Sequence, residues 1–197
     1  MEKTVYFRAF EEEDAELIYQ WMNDDELKNL SVGVNRRMCR EEAREWVRIR
    51  MKDSRNQVFW AICSKDTNKM IGYASLVNIH YINSSAETGA ILIGDKDYND
   101  GLAWIEAALF MFEYGFERLN LNRIYGVCFK EHKMSCLMAK ALHEETEGIM
   151  RQAVFKNGKY HDLVYSAMLK DDYFIHKNSG DYEIRAMIKK LAKLKNE

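Results

Sequence analysis

One segment, residues 90–118, constrains the possible folds of this chain more than any other. It starts with the apolar run Ala90-Ile91-Leu92-Ile93, which has the composition of a β-strand. A helical pattern follows over residues 102–118 and is apolar on most faces, so we expect this helix to be well buried. The two elements are joined by a short polar segment that ends in Gly101. A strand and a helix of this kind belong in the interior of a layered domain.

Hydrophobic periodicity and turn composition predict the other elements. The strongest local signal is Asn157-Gly158, the dipeptide typical of a tight hairpin turn between two strands. The order of elements indicates the α+β class with a central mixed, mostly antiparallel sheet flanked by helices, followed by a C-terminal helical tail. Strands are predicted at 4–9, 58–63, 70–79, 86–93, 124–129, 149–156 and 160–169, and helices at 15–22, 24–30, 40–52, 102–118, 132–142 and 181–195.

Length and charge limit the classes of partner. The chain has 197 residues, which we divide into a domain at 1–172 and a C-terminal helical extension at 173–197. A net charge of −2 gives no field that would attract nucleic acid or an anionic membrane. The amino-terminal residues lack the pattern of a signal peptide, and no apolar run reaches the length of a membrane span. We therefore expect a cytoplasmic protein with no nucleic-acid or membrane partner.

The cysteines point to the same compartment. Four are present, and none of them shows the CxxC spacing that is typical of zinc and redox sites. We expect free thiols in a reducing cytosol, with neither a disulfide nor a metal site. The residues concerned are Cys39, Cys63, Cys128 and Cys136.

The polar segment before the buried helix 102–118 has the position of an anion-binding loop. Free backbone N–H groups and the helix dipole both favour an anion at the start of a helix. Gly101 would let the backbone approach a phosphate without a Cβ in the way. The segment is nevertheless acidic, with Asp95, Asp97 and Asp100 against the single Lys96. Taken alone, it is also compatible with a plain strand-to-helix turn that binds nothing.

Four segments together carry a family resemblance. The chain resembles the GNAT acetyltransferases, in the branch that includes the ribosomal-protein N-terminal acetyltransferases (RimJ/RimL-like), over about residues 4–170. The resemblance implies the GNAT, or acyl-CoA N-acyltransferase, fold. In chain order, the segments are FRAFEEEDAELIYQWMND, AETGAILIGDKDYNDGLAWIEA, FEYGFERLNLNRIYGVC and EGIMRQAVFKNGKYHDLVYSAML.

The resemblance implies acetyl-CoA as the cofactor. Its pantetheine chain would run along the end of the fourth strand, and its pyrophosphate would sit on the loop and the start of the following helix. Tyr98 stands where the family usually has Arg or Gln, and Asp100 stands where it usually has a basic or neutral residue. The implied cofactor-binding residues are Ile91, Leu92, Ile93, Tyr98, Asn99, Asp100, Gly101, Leu102, Ala103 and Ser135.

Asp100 has two possible roles that lead to different expectations. Its carboxylate would repel a pyrophosphate nearby, by about 1 kcal/mol at 4 Å in bulk water. It would alternatively cap the helix that starts at Gly101, since Asp is favoured at helix amino termini. Replacement by Asn keeps the capping ability and removes the charge, so the two roles predict different changes in acetyl-CoA affinity.

Two residues are candidates for catalysis. Transfer of an acetyl group to an amine requires alignment of the partners and removal of one proton. Glu87 matches a family glutamate that acts as a base through a water; the alternative is an edge-facing or salt-bridged strand glutamate. Ser135 matches the serine of the family pattern N-x-x-S and would bond the cofactor sulfur or pantetheine, or else be an ordinary serine near a helix start. His132 replaces the asparagine of that pattern.

Two further family positions have changed. Ala139 occupies the place of a tyrosine that protonates the leaving thiolate in many GNAT enzymes, so solvent would supply that proton here. His143-Glu144 stand in place of the usual Gly-Phe. Cys136 has no partner residues that would make it a nucleophile.

The acceptor side is expected at the closing hairpin. Tyr160, His161 and Asp162 match the Tyr-x-Asp that follows the hairpin turn in this branch and would orient an amine or a peptide terminus. The alternative is a structural pair in the hairpin.

The function implied is N-acetylation of a primary amine, either a protein N-terminus or a small molecule such as an amino sugar or a polyamine. The alternative is a GNAT-fold module that has lost turnover and binds CoA or a protein. The tail has an apolar side that could dock on the domain or on a second copy in a homodimer; it carries Ile184, Met187, Ile188 and Leu191.

Overall fold

The computed structural model describes residues 3–33, 36–52 and 55–195. It contains a seven-stranded sheet with helices on both faces. The strands are β1 (Val5–Arg8), β2 (Val58–Ser64), β3 (Met70–His80), β4 (Ser85–Ile93), β5 (Arg123–Phe129), β6 (Glu145–Lys156) and β7 (Lys159–Leu169). The helices are α1 (Ala15–Asn23), α2 (Asp25–Leu30), α3 (Arg40–Met51), α4 (Leu102–Glu113), α5 (Lys133–Ala141), α6 (Lys170–Ser179) and α7 (Ile184–Leu194).

The sheet has the order β1-β2-β3-β4-β5-β7-β6. Every neighbouring pair is antiparallel except β4 and β5, which are parallel. The predicted α+β class and the mixed, mostly antiparallel sheet are therefore confirmed. β6 and β7 form the hairpin predicted at Asn157-Gly158, with Lys156 opposite Lys159. Gly158 has a φ of +82°, which a glycine adopts without strain.

Helix α4 is the central helix of the larger core. Its apolar residues pack against the sheet, as its composition predicts, and it continues into a π-helical turn at Tyr114–Arg118. One carboxylate is buried within it: Glu106 is 3% exposed. Glu106 accepts hydrogen bonds from the backbone N–H groups of Thr4 and Val5, at 2.9 Å and 3.1 Å. The helix therefore holds the first strand in place across 102 residues of sequence.

A second core lies on the opposite face of the sheet, under α1 and α3. Trp21 of α1 packs directly over Gly94, the residue after β4. A Cβ at Gly94 would lie 2.2 Å from the indole ring, so this position has no room for a side chain. This contact fixes the point where the chain leaves β4 and enters the loop before α4.

The C-terminal extension contains two helices rather than one. Helix α6 was not predicted, and it starts directly after β7, on the amino-terminal side of the expected boundary at residue 172. Tyr173 of α6 and Met187 and Leu191 of α7 are buried in the same core as α4. The extension is thus packed on the domain. Within the described residues, none of the helices is long and apolar enough to cross a membrane.

Candidate active site

The main feature of the site is a cleft between the parallel strands β4 and β5. The two strands are paired over only three positions, and the last of these pairs is Glu87 with Tyr125. Beyond that pair, the rest of β4 and the rest of β5 no longer bond to each other. An edge strand leaves N–H and C=O groups that can bond to another extended chain. The cleft therefore offers open backbone groups along residues 88–93.

A β-bulge at Gly89 sets the direction of the β4 side chains along this cleft. Ser75 pairs with Ala90 and Leu76 pairs with Thr88, so Gly89 is the extra residue. A Cβ on Gly89 would lie 2.6 Å from the Ser75 Oγ, which excludes a larger residue without rearrangement. After the bulge, the side chains alternate between the two cores. Ile91 and Ile93 pack on the α4 side, and Leu92 packs on the side of α1 and α3.

Polar side chains from four strands meet where the cleft begins. Ala86 is buried in the α4 core, and successive side chains of a strand point to opposite faces of the sheet. The Glu87 side chain therefore points to the face away from α4. The Asn78 Nδ2 donates a hydrogen bond of 2.7 Å to the Glu87 Oε2. Burial and the charge of Glu87 raise the pKa of Tyr125, whose ring stacks on Tyr165. We call Asn78, Glu87, Tyr125 and Tyr165 the cleft apex.

Sequence reasoning found only one member of the cleft apex, Glu87. Tyr125 and Tyr165 look like ordinary β-strand aromatics in the sequence, and their proximity to Glu87 depends on the order of the strands. Asn78 has a φ of +50°, which places its amide beside Glu87 and leaves no trace in the hydrophobic pattern. Only a correct prediction of which strands are neighbours in the sheet would have identified these residues.

The loop before α4 is held by its own carboxylates. The Asp100 Oδ1 accepts a hydrogen bond of 2.8 Å from the Leu102 N–H, in the first turn of the helix. The Asp95 Oδ1 accepts one of 3.1 Å from the Asp97 N–H. Gly101, between loop and helix, has a φ of +90°. Asp100 thus has a capping role, and its negative charge lies on one of the N–H groups that would otherwise face an anion.

Tyr98 ties the same loop to the end of β2. Its hydroxyl donates to the Ser64 Oγ at 3.1 Å and lies 3.4 Å from the Thr67 Oγ1. Its ring packs against the α4 core. These contacts occupy the hydroxyl, so a ligand bound on the loop would contact the backbone of Tyr98 and not its hydroxyl.

The start of α5 lies beside β5. The Ser135 Oγ is hydrogen-bonded to the His132 Nδ1 at 2.5 Å, and burial lowers the pKa of this histidine. The Cys128 Sγ of β5 lies 3.7 Å from the Cys136 Sγ of α5, and burial together with that neighbour raises the pKa of Cys128 to about 12. Ser135 is therefore engaged with a neutral histidine.

The three predicted acceptor residues all have local partners. Asp162 accepts a hydrogen bond of 2.9 Å from the Gln152 N–H, which lowers the pKa of its carboxyl. The His161 Nε2 is hydrogen-bonded to the Lys156 carbonyl at 3.1 Å, and its Nδ1 contacts Glu131. Tyr160 is exposed and packs on Phe155. All three line a shallow cavity of about 480 Å³. His161 lies four residues along β7 from Tyr165, or about 13 Å.

Comparison with known proteins gives one family. The model of the acetyltransferase (GNAT) domain matches residues 4–143. The uncharacterized N-acetyltransferase YnaD of Bacillus subtilis (strain 168) is 26% identical over 172 residues, which cover 87% of this chain and 96% of that protein. The spermidine N(1)-acetyltransferase of Escherichia coli (strain K12) is 31% identical over 110 residues, which cover 55% of this chain and 58% of the enzyme.

Solved structures show the same architecture. The crystal structure of spermidine N-acetyltransferase from Vibrio cholerae in complex with CoA and spermine superposes with a TM-score of 0.80 at 22% identity. The alignment covers 88% of this chain and 99% of that one. At this identity the similarity shows a shared fold.

Proposed function

This chain belongs to the acetyltransferase (GNAT) family, and from that premise we propose that it transfers the acetyl group of acetyl-CoA to a primary amine at the cleft apex. The observation that carries the proposal is the early end of the β4–β5 pairing at Glu87 and Tyr125. A cleft that opens between two parallel strands beside a helix amino terminus has room and donors for an extended, phosphate-bearing substrate.

The open part of β4 supports binding of the pantetheine chain. Pantetheine carries amide groups, which can bond to the unpaired backbone of residues 91–93 in the way that an added strand would. The pyrophosphate would take the remaining free N–H groups of the first turn of α4 and the space beside Gly101. Ser135, at the start of α5, would line the other wall of the cleft through its hydroxyl.

Glu87 has the position of the proton acceptor. Its hydrogen-bond partner is the side-chain amide of Asn78, which brings no opposite charge to the place that an incoming ammonium group would take. In the proposed reaction the ammonium group of the substrate loses a proton to Glu87, directly or through a water, and the neutral amine nitrogen attacks the thioester carbonyl. The C–S bond then breaks and the CoA thiolate leaves, and the new amide nitrogen releases its second proton to the thiolate or to solvent. Tyr125, whose pKa is raised by burial and by the charge of Glu87, carries a protonated hydroxyl at neutral pH, as an ordinary tyrosine does, and would be a proton donor nearby.

A linear polyamine is the acceptor that we propose to test first. The Escherichia coli relative acts on spermidine by its name, and its similarity covers about half of this chain. This similarity supports a polyamine acceptor, which we propose ahead of the protein N-terminus that the ribosomal-protein branch would imply. A protein N-terminus remains the alternative acceptor, and the same cleft would serve both.

The test is release of free CoA thiol from acetyl-CoA in the presence of single amines: spermidine, spermine, glucosamine and a peptide with a free N-terminus. We expect release with the polyamines and little with the peptide. Acetyl-CoA alone should raise the melting temperature, because saturation at about 100 times its Kd adds roughly 2.7 kcal/mol to the free energy of unfolding.

One observation favours the alternative of a binding module without turnover. Asp100 already occupies the Leu102 N–H and brings a negative charge to the place where the pyrophosphate would bind. A melting shift with acetyl-CoA and no thiol release with any amine would support this second function. The absence of both signals would contradict the assignment of acetyl-CoA.

A further inference from the structure

Two histidines and an aspartate meet where the C-terminal extension packs on the domain. The Asp181 Oδ2 lies 2.8 Å from the His176 Nδ1 and 3.4 Å from the His143 Nε2. The two imidazole rings are stacked with their centroids 3.5 Å apart. The ligand atoms of the three side chains all lie within 4.8 Å of one another. This group is separate from the cleft apex.

The turn that ends α6 holds two of these residues together. Gly180 has a φ of +84°, and its N–H bonds to the Lys177 carbonyl at 3.1 Å. The Asp181 N–H bonds to the His176 carbonyl at 3.0 Å. This arrangement is a Schellman-type turn, in which the residue after the glycine folds back over the last helical turn. His176 and Asp181 are therefore placed side by side by the backbone.

The turn that ends α5 presents the third residue. His143 has a φ of +63°, in the left-handed region, and its N–H bonds to the Lys140 carbonyl at 3.1 Å. Glycine is the usual residue at this position of a helix C-terminus because it has no Cβ. A histidine here is held in an unfavourable backbone conformation, as happens at sites where the side chain has a task.

The lone pair of His143 already points to a positive charge. The Lys190 ammonium of α7 is in hydrogen-bond contact with the His143 Nε2. A lysine ammonium can only donate, so this nitrogen must be the acceptor in that contact. An unprotonated ring nitrogen is also the form that binds a metal. The extension thus places a cation on the lone pair that a metal ion would use.

We propose that His143, His176 and Asp181 form a binding site for a divalent transition-metal ion, with Zn²⁺ as the reference ion. Nitrogen and oxygen donors about 2.0–2.1 Å from a tetrahedral zinc lie about 3.3 Å from each other. The 3.4 Å between His143 and Asp181 meets this spacing, and the 2.8 Å to His176 is half an ångström shorter. The two histidine nitrogens need to approach by about 1.5 Å at most.

The site would join the domain to its extension. His143 comes from the domain and the other two ligands come from α6 and the turn after it, so the ion binds the packed form and not a detached tail. The side chains of His143, His176 and Asp181 are 27%, 24% and 40% exposed, which leaves one side open for a water as the fourth ligand. Two imidazoles favour zinc, nickel or copper over magnesium and calcium, which prefer oxygen ligands.

The test uses the full chain, treated with a chelator and then titrated with Co²⁺ and Zn²⁺. We expect one equivalent of Co²⁺ to bind with the intense visible absorption of four-coordinate cobalt, and Zn²⁺ to displace it. Zn²⁺ at about 100 times its Kd should raise the melting temperature by about 5–10 °C, whereas Mg²⁺ should not. His176→Gln and His143→Asn should lose both signals; asparagine tolerates the left-handed conformation, so the second variant is expected to stay folded.

Two further variants make the result specific. Lys190→Met removes the competing cation and should tighten Co²⁺ binding severalfold. His80→Gln removes a histidine far from the group in sequence, at the end of β3, and should leave binding unchanged. The proposal is overturned by an absence of Co²⁺ binding in the unmodified chain, or by equal Zn²⁺ shifts in the unmodified and His176→Gln proteins. Binding that His80→Gln abolishes would also overturn it.

Discussion

The cleft apex and the loop before α4 both contain carboxylates, but these carboxylates have different partners. At the apex, Glu87 takes a hydrogen bond from the side chain of Asn78 on another strand. In the loop, Asp95 and Asp100 each accept a hydrogen bond from a backbone N–H two residues away. The apex carboxylate is thus positioned by the sheet, while the loop carboxylates satisfy their own segment.

This difference separates two steps of the proposed reaction. A group fixed by the sheet can face the reacting atoms without moving, and its loss should affect turnover. A loop whose carboxylates bond to its own N–H groups competes with the phosphates of a substrate for those groups. Replacements in the loop should therefore change the affinity for acetyl-CoA. Replacements at the apex and in the loop should therefore act on different kinetic constants.

The largest effect is expected for Glu87→Gln. Without a proton acceptor at the apex, kcat should fall by about 10²- to 10⁴-fold, while the Kd of acetyl-CoA stays nearly unchanged. Steady-state kinetics with the best amine, together with calorimetry for acetyl-CoA, would measure both. Glu145→Gln is a matched control, since Glu145 is an exposed residue of β6 and lies outside the apex. An active Glu87→Gln protein would assign proton removal to water or to another residue.

Gly101→Ala should act on the loop. At a φ of +90° a Cβ costs about 1–2 kcal/mol, although the space around it is open, with the Met138 Cε 3.6 Å away. We expect the Kd of acetyl-CoA to rise about tenfold and the melting temperature to fall by about 2–8 °C. Gly101→Asn tolerates this backbone better and should lose less. A large fall in kcat with an unchanged Kd of acetyl-CoA would contradict the assignment of affinity to the loop and turnover to the apex.

Asn78→Gly tests the support of Glu87. Glycine tolerates the positive φ of this position and removes the side chain whose amide donates to Glu87. A partly exposed hydrogen bond to a charged group contributes about 1 kcal/mol, so kcat should fall about fivefold. The Kd of acetyl-CoA should not change, and Asn83→Gly in the following turn provides a control. Unchanged turnover would show that Glu87 does not depend on this contact.

The smallest effect is expected for Asp100→Asn. Asparagine can still cap Leu102, but the negative charge beside the phosphates is gone. At an exposed site the repulsion is about 1 kcal/mol or less, so acetyl-CoA should bind a few-fold tighter, with less gain at high salt. Asp97→Asn removes the same charge from the same loop and serves as a control. Weaker binding by Asp100→Asn would mean that the carboxylate contacts the substrate productively.

The strands and buried helices could be predicted from the sequence because their patterns are local. The seven strands and α4 have clear alternation or apolar faces, and Asn157-Gly158 specifies a hairpin by its own backbone preference. Helix α6 could not be found in this way. Its residues KDDYFIHKNS lack an apolar stripe, and the helix is held by tertiary contacts, such as Tyr173 stacked on Phe116 and bonded to Glu117.

The candidate site could be predicted only where a motif is continuous in the sequence. The loop and Gly101 were located because strand, loop and helix follow one another. The partners of Glu87 come from β3 and β5, and only the order of strands in the sheet brings them together. The sequence leaves two roles open for Asp100 for a similar reason. Helix capping and repulsion of the pyrophosphate depend on the direction of one side chain, which the sequence pattern does not specify.

The buried carboxylate of Glu106 has a consequence for the timing of synthesis. It bonds to the backbone of Thr4, 102 residues earlier in the chain. At a translation rate of about 5–20 residues per second, roughly 5–20 s pass between the synthesis of these two residues. During that interval the first strand lacks the acceptor that completes its edge. The amino-terminal strand can pair with β2 earlier, but its other edge is completed only after α4 has emerged from the ribosome.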